Sequence, residues 1–326
     1  MSRGCYPKSY WWKVWLACVA VFSVSACRDA TKEERTPPKA VWREPHIPAG
    51  EAGRVLRKAI EAAGGWEAWR ALVDVTFVST LTIFDARGDA TSETIFFHKQ
   101  PLHQGPILRM ESIGLREEIL FGYDGRVSWM FRGGRWVDDP QEKMFTEFHG
   151  ISSAISFGLP FVLAEMDGVN LEYVGREATE EQQWEKLRVT YARHLQSPIV
   201  WAVLYFDANS GLIDHVYAQV EAPFLQHPIW LGRWREYREV AGIRQERVRS
   251  FYPADASGNP VAGLVAEQLI EHLQFNVGLP QSLFKRPLRS SAGSLAKNKG
   301  DEFRLSLGQL AGAGVLSATL VARWQN

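Results

Sequence analysis

The residues best suited to chemistry fall in a few short runs, and each run has a plainer use as well. His98 and His103 stand five apart, with Asp85, Asp89 and Glu93 upstream. Imidazole and carboxylate side chains are common ligands of first-row metals, but the same types around a hairpin are equally at home in solvated loops. Gly150-Ile151-Ser152-Ser153-Ala154 has the outline of a nucleophile turn. It lies within a segment of helical period, however, whereas a nucleophilic serine of that kind needs a sharp strand-to-helix turn. Asp138, Asp139, Glu142 and Glu147 could pair as general acid and base; helix capping and a wet helix face account for them more simply. Trp129, Trp136, Trp184, Trp201, Trp230 and Trp234 offer flat faces to sugar rings and, equally, large apolar bodies to a strand core. No Gly-x-Ser-x-Gly elbow, His-Glu-x-x-His pair, phosphate loop or dinucleotide fingerprint occurs. The chain reads as a non-enzyme without cofactor or metal.

Cysteine usage and charge narrow the classes further. The three cysteines are Cys5, Cys18 and Cys27, so the remaining 299 residues have no thiol for a disulfide, a zinc site or a nucleophile. The 326 residues carry 37 basic and 37 acidic side chains, a balance without the clustered positive excess that phosphate neutralisation requires, so nucleic acid is not an expected partner. With 46% hydrophobic and 23% charged residues, the chain is neither a disordered polyampholyte nor a multi-span membrane protein. One large globular domain, or at most two, is expected.

The third cysteine has the most specific surroundings. Arg3, Lys8 and Lys13 precede an apolar run over residues 14–24, which is too short to cross a bilayer and has the order of a secretory signal peptide. The run ends in Val24-Ser25-Ala26-Cys27, which resembles the lipobox of bacterial lipoprotein signals: an aliphatic residue, two small ones and the lipidated cysteine. The resemblance implies a signal peptide over 1–26, acylation at Cys27 and a stable anchor through two or three acyl chains. Cleavage there leaves 34 basic against 37 acidic side chains. Arg28 occupies the place where an aspartate would favour inner-membrane retention, so the resemblance points to the periplasmic side of the outer membrane.

Residues 28–50 hold Pro37, Pro38, Pro45 and Pro48 and no apolar period, a tether spanning roughly 25 to 30 Å as a random coil. Val55, Leu56, Ala59, Ile60 and Ala63 predict an amphipathic helix over 51–63, ended by Gly64-Gly65, and Trp66, Trp69 and Leu72 a short second one. From Val73 the period changes to two, with Val75, Phe77, Leu81 and Ile83 alternating with polar residues up to a turn at 86–89. Further strands are expected over 93–98, 107–113, 118–123 and 127–132, with Asp124-Gly125 as a hairpin turn. Asp139, Pro140 and Glu142 begin a helix whose apolar face is Phe145, Phe148, Ile151 and Ile155, ended by Gly158 and Pro160. Seven more strands are expected over 171–175, 184–193, 200–207, 212–221, 233–240, 243–252 and 261–275. The result is a mainly β (α+β) chain: a meander of about eleven antiparallel strands with one face covered by helices. Residues 288–326 read as a poorly packed tail.

The segment Tyr237 to Arg244, the closing Phe275-Asn276-Val277-Gly278-Leu279-Pro280 with Leu283-Phe284, and the opening Ala59 to Leu72 together resemble the LolA and LppX-like lipoprotein-sorting half-barrels. The resemblance covers roughly residues 53–287 and places a domain at 51–287. It implies a strongly curved sheet wrapped around helices, with an apolar cavity that takes acyl chains. On that basis Trp129, Phe145, Phe148, Ile151, Ile155, Trp201 and Tyr205 are expected to line the cavity, with the helix at 139–157 as plug or lid. The expected function is binding of a lipid or other apolar ligand, without turnover, by a protein held to the membrane by its N-terminal lipid. The alternative is a structural lipoprotein with a filled core that holds an envelope protein partner.

Overall fold

Val55, Leu56, Ala59 and Ile60 recur at three-and-four spacing and are all buried, which is why the first helix, α1 (Gly50–Ala62), packs on one face only. The chain leaves it through Gly64, whose φ is +122° and whose missing side chain makes room for the Gly242 carbonyl. A short helix, α2 (Trp66–Arg70), follows and buries Trp69. The computed structural model describes residues 45–287 except 116–117, 193–196, 198, 223–224 and 226, and except the side chains of 145, 146 and 149. The chain divides into two compact units, Met1–Pro38 and Lys39–Asn326, and every described residue belongs to the second. The expected signal peptide, Cys27, the expected tether up to residue 44 and the expected tail from 288 lie outside the described residues.

Fifteen strands follow among the described residues: β1 (Asp74–Phe84), β2 (Ala90–Pro101), β3 (Ile107–Ile113), β4 (Ile119–Asp124), β5 (Ser128–Arg132), β6 (Arg135–Trp136), β7 (Val169–Ala178), β8 (Gln183–Tyr191), β9 (Ile199–Asp207), β10 (Ile213–Val220), β11 (Ile229–Arg235), β12 (Arg238–Val240), β13 (Ile243–Gln245), β14 (Val248–Pro253) and β15 (Ala266–Phe275). Thirteen of them form one open antiparallel sheet in the order β6-β5-β4-β3-β2-β1-β15-β14-β11-β10-β9-β8-β7. Two of the strands beyond the expected count of about eleven have a local origin. The two strands expected over 233–240 and 243–252 each divide, at Glu236 with φ +57° and after Gln245, and the inner pieces β12 and β13 form a separate ribbon.

Between β6 and β7 lie α3 (Pro140–Phe157) and α4 (Val162–Glu165). The Asp139 carboxylate caps α3, accepting from the backbone N–H groups of Gln141 and Glu142. The Glu142 side chain binds Arg132 at 2.9 Å. Among the described residues, no helix is long and apolar enough to cross a membrane.

Side chains of α1, α2 and α4 share one core with Val75 of β1, Leu187 of β8, Leu204 of β9, Trp234 of β11 and Ile270 of β15. In the sheet order β1 and β8 are six strand spacings apart, about 29 Å if the sheet were flat. Side chains that distant meet one core only because the sheet curls, so the fold is a half-barrel around its helices. Its outer face carries a strap: Asp74 accepts from the backbone N–H of Val277 and of Leu279, each at 2.7 Å. The strap continues across β3 and β5, where Arg109 donates to the Leu283 carbonyl and Trp129 Nε1 to that of Phe284.

Candidate functional site

The helices do not cover the whole concave face. α3 packs mainly on β3, β4 and β5, with its last turn reaching Phe77 of β1 and Arg249 of β14, and α1 packs mainly on β7 and β8. Between those footprints a continuous register runs across the sheet: Ile83 pairs with Ala266, Ala266 with Phe251, Phe251 with Gly232, Gly232 with Val216 and Val216 with Leu204. Directly paired residues share a face, and Leu204 belongs to the core, so the whole row points inward. Ile83, Ala266, Phe251 and Val216 are nevertheless only half-buried. Gly232 leaves space in their midst, since a side chain there would meet the Phe251 ring and Trp234 Nε1 at no closer than 3.6 Å. A second row, Pro253, Trp230, Ala218 and Ala202, lies beside it, with Trp230 and Ala218 again half-buried. Among the described residues these two rows form an apolar trough along the inside of β1, β15, β14, β11 and β10.

One strand step from the trough the interior turns polar. The row Leu81, Gln268, Arg249 and Trp234 follows the same register. Arg249 is 5% exposed; its Nε donates to Glu246 Oε1 at 2.6 Å and its Nη1 to Ser156 Oγ of α3 at 3.1 Å. The guanidinium also lies 5.3 Å from the centre of the Trp234 ring. Burial pushes the Glu246 carboxyl up, against the pull of Arg249. Further along α3, Gln100 donates to Ser153 Oγ at 3.2 Å.

The sequence-predicted lining residues separate into two groups. Ile151 and Ile155 are buried together against Tyr123, beneath α3, and Phe148 is half-buried on the same helix. The side chain of Phe145 lies outside the described residues. Trp129 does not face α3: Met130 points to the helix side, so its neighbour points outward, against Leu120, Phe131 and the strap. Trp201 and Tyr205 also point outward, because Ala202, Leu204 and Phe206 take the inner positions of β9. There Tyr205 stacks on His215 at 3.9 Å and Trp201 meets Tyr217 edge-on, with Arg188 over its ring. Of the trough residues, sequence reasoning named Trp230 only among the tryptophans and Ile83 only as a strand residue, and did not single out Val216, Phe251 or Ala266; their shared signal is inward parity on five separate strands.

The other candidates take structural places. His98 Nε2 pairs with Ser79 Oγ at 2.7 Å inside the sheet. The His103 ring bridges the Glu165 carboxylate and the Leu72 carbonyl, each at 2.8 Å. Asp138 lies 3.6 Å from Lys143 and Glu147 accepts from Ser128 at 3.2 Å, while Ser152 and Ser153 sit in mid-helix. A group the sequence did not flag is Glu185, on which Arg54, Tyr173 and Arg176 converge at 2.6 to 2.9 Å. Burial opposes its ionisation, but those bonds outweigh the cost and hold the carboxyl at about 2.

No family model matches the chain, and no curated protein does. Solved structures are similar in fold. A LolA superfamily protein from Nitrosomonas europaea is 12% identical with a TM-score of 0.50, over 73% of this chain and 99% of that one. A DUF1329 family protein from Desulfovibrio piger is 11% identical with a TM-score of 0.49, over 72% and 97%. The first likeness identifies the fold as LolA-like, in agreement with the resemblance read from the sequence.

Proposed function

We propose that this chain is an exported lipoprotein, acylated at Cys27 and held on the periplasmic side of the outer membrane, that binds a lipid or other acyl-bearing ligand in the trough and releases it unchanged. The observation that carries this reading is the pair of inward apolar rows left half-exposed between the helices. Apolar area buried by a ligand is worth about 25 cal/mol per Å², and a ligand would supply the contacts that the helices do not. The LolA-like fold supports an interior of this kind. The lipobox match supports the anchor, and Arg28 after the cysteine supports the outer membrane.

The test is native mass spectrometry and lipid extraction on the purified full chain carrying Cys27→Ser, so that any lipid found is held by the domain. A stoichiometric lipid, or saturable uptake of added lipid, is expected. A clean protein that also refuses added lipid overturns the reading. The same variant should leave the membrane fraction if Cys27 is the anchor. A protein partner of the envelope is the second reading, favoured by β7, which ends the sheet with ten residues and an exposed Val174.

A further inference from the structure

The sheet ends differently at its two edges. β6 contributes only Arg135 and Trp136, whereas β7 runs for ten residues with no strand beyond it. The pairing of β7 with β8 is regular from Val169 to Tyr173, after which the register shifts at a bulge where Gly175 has a φ of +101°. The N–H of Ala192 donates to the Gly168 carbonyl at 2.7 Å, and these two residues continue the register of Val169 with Tyr191. In an antiparallel ladder, hydrogen-bonded and non-hydrogen-bonded pairs alternate. Asn170 and Glu172 therefore bond to β8, while the N–H and C=O groups of Val169, Leu171 and Tyr173 point out of the edge. Among the described residues, none of these backbone groups bonds to another part of the chain, which leaves three donors and three acceptors in a row for a further strand.

The side chains of this stretch alternate in step with the backbone. Val169, Leu171 and Tyr173 face inward, half-buried against the main core, and Asn170 and Glu172 face outward and are exposed. The residues that offer backbone groups to the edge are thus also those with apolar area still open. A second copy of the same strand matches both features. With Leu171 on a two-fold axis, Leu171 meets its own copy, Val169 meets Tyr173, and Asn170 meets Glu172. Each inward pair is then a hydrogen-bonded pair that exchanges two bonds, so every free N–H finds a free C=O. The inward contacts are apolar throughout, and no like charges stand opposite each other. Centring the pair on Glu172 would set two carboxylates face to face, and centring it on Asn170 would leave Tyr173 beyond the regular stretch. The axis is perpendicular to the sheet, and the trough begins three strands away at β10, so pairing leaves it uncovered.

We infer that two copies of this chain associate through β7, as an antiparallel pair with Leu171 on the two-fold axis that joins their sheets into one. The inference does not depend on what the trough holds. A ribbon of five residues per chain is a small contact, so the dimer is weak and forms at high local concentration. The bulge at Gly175 limits the ribbon to those five residues and keeps the edge from recruiting longer strands.

The experiment is sedimentation velocity on the full chain carrying Cys27→Ser, from about 1 to 500 μM, with amide exchange followed at both ends of that range. A concentration-dependent dimer is expected. In it the Val169, Leu171 and Tyr173 amides exchange more slowly than in the monomer, while those of Asn170 and Glu172, already bonded to β8, do not change. Asn170 is exposed, and in the pair it faces the partner's Glu172. Asn170→Lys creates two opposite-charge pairs per dimer and Asn170→Glu two like-charge pairs, so the dissociation constant should fall roughly fivefold in the first and rise roughly fivefold in the second. Leu171→Pro removes an N–H that β8 does not use and should leave a monomer at every concentration, with circular dichroism to confirm its fold. If that variant does not fold, the opposite signs at Asn170 decide alone. A protein that stays monomeric to the top of the range overturns the inference. So does a dimer whose dissociation constant is unmoved, or moved in the same direction, by both Asn170 variants.

Discussion

Replacing Gly232 by Val separates an open trough from a filled core, because the two give opposite signs. The added side chain would point inward between Phe251 and Val216, and the nearest neighbours of its first carbon would be the Phe251 ring and Trp234 Nε1, at ordinary contact distances of 3.6 to 3.7 Å. In an open trough the substitution replaces a flexible strand glycine by a β-branched residue, a gain of about 0.5 to 1 kcal/mol. The same three carbons occupy ligand space. Excluding two or three methylenes at about 0.8 kcal/mol each removes about 2 kcal/mol of binding, roughly thirtyfold in affinity. Urea denaturation and titration with a fluorescent acyl probe read the two effects independently. A destabilisation of about 1 to 3 kcal/mol, the usual cost of overpacking, together with unchanged probe binding would show that the space is already filled and would refute the reasoning.

Three further outcomes follow from the frame around the trough. Glu185 has its carboxyl held at about 2 against a usual 4.5, so its contribution is present above pH 4.5 and is lost as pH falls toward 2. Because Arg54 and Arg176 are partly exposed, that contribution is about 1 to 2 kcal/mol; Glu185→Gln should lose it at pH 7 and flatten the acid limb of a stability curve, and an unchanged limb would count against the cluster. Asp74→Ala removes two charge-assisted bonds that hold the strap, at a cost of about 3 kcal/mol, and amide exchange should quicken first at Val277 and Leu279. Gly64→Ala places a carbon 2.0 Å from the Gly242 carbonyl oxygen at a φ of +122°, and a melting temperature within a degree or two of the wild type would contradict that contact, whose loss should cost about 3 kcal/mol.

The local part of this architecture is legible in the chain because it depends on neighbours a few residues apart. The helix face Val55, Leu56, Ala59 and Ile60, the Asp139 cap and the alternation through Val75 and Phe77 all appear in the structure where their spacing places them. The boundaries that moved did so for tertiary reasons. The strands expected over 233–240 and 243–252 broke because Gly242 is drawn against Gly64 and Arg244 N–H binds the Ala63 carbonyl, which pulls β12 and β13 out of the main sheet and onto the end of α1. Parity within a strand was readable as well, yet which parity faces inward was not. Trp129 and Met130 are both large and apolar, and only the strap over one face and α3 over the other decide between them.

The trough was hidden for a related reason, and that reason explains how it comes to exist. Its members stand at 83, 216, 230, 251 and 266, one on each of five strands, so no local period links them. They are brought side by side by the pairing of β1 with β15, which joins the first strand of the sheet to the last and sets two runs of consecutive strands on either side. Each side brings its own helix, α3 over β3 to β5 and α1 over β7 and β8. A helix with its side chains is about 10 to 12 Å wide and covers two or three strands at about 4.8 Å each. Two such footprints cannot cover thirteen strands, and β2, β1, β15, β14, β11, β10 and β9 stand between them in the sheet order, with the trough on the middle five. The opening is thus a consequence of strand order and helix width. The chain adds to it by placing glycine at 232 and alanine at 218 and 266 where larger residues would close the space, and by keeping Arg249 with Gln268 at its inner end.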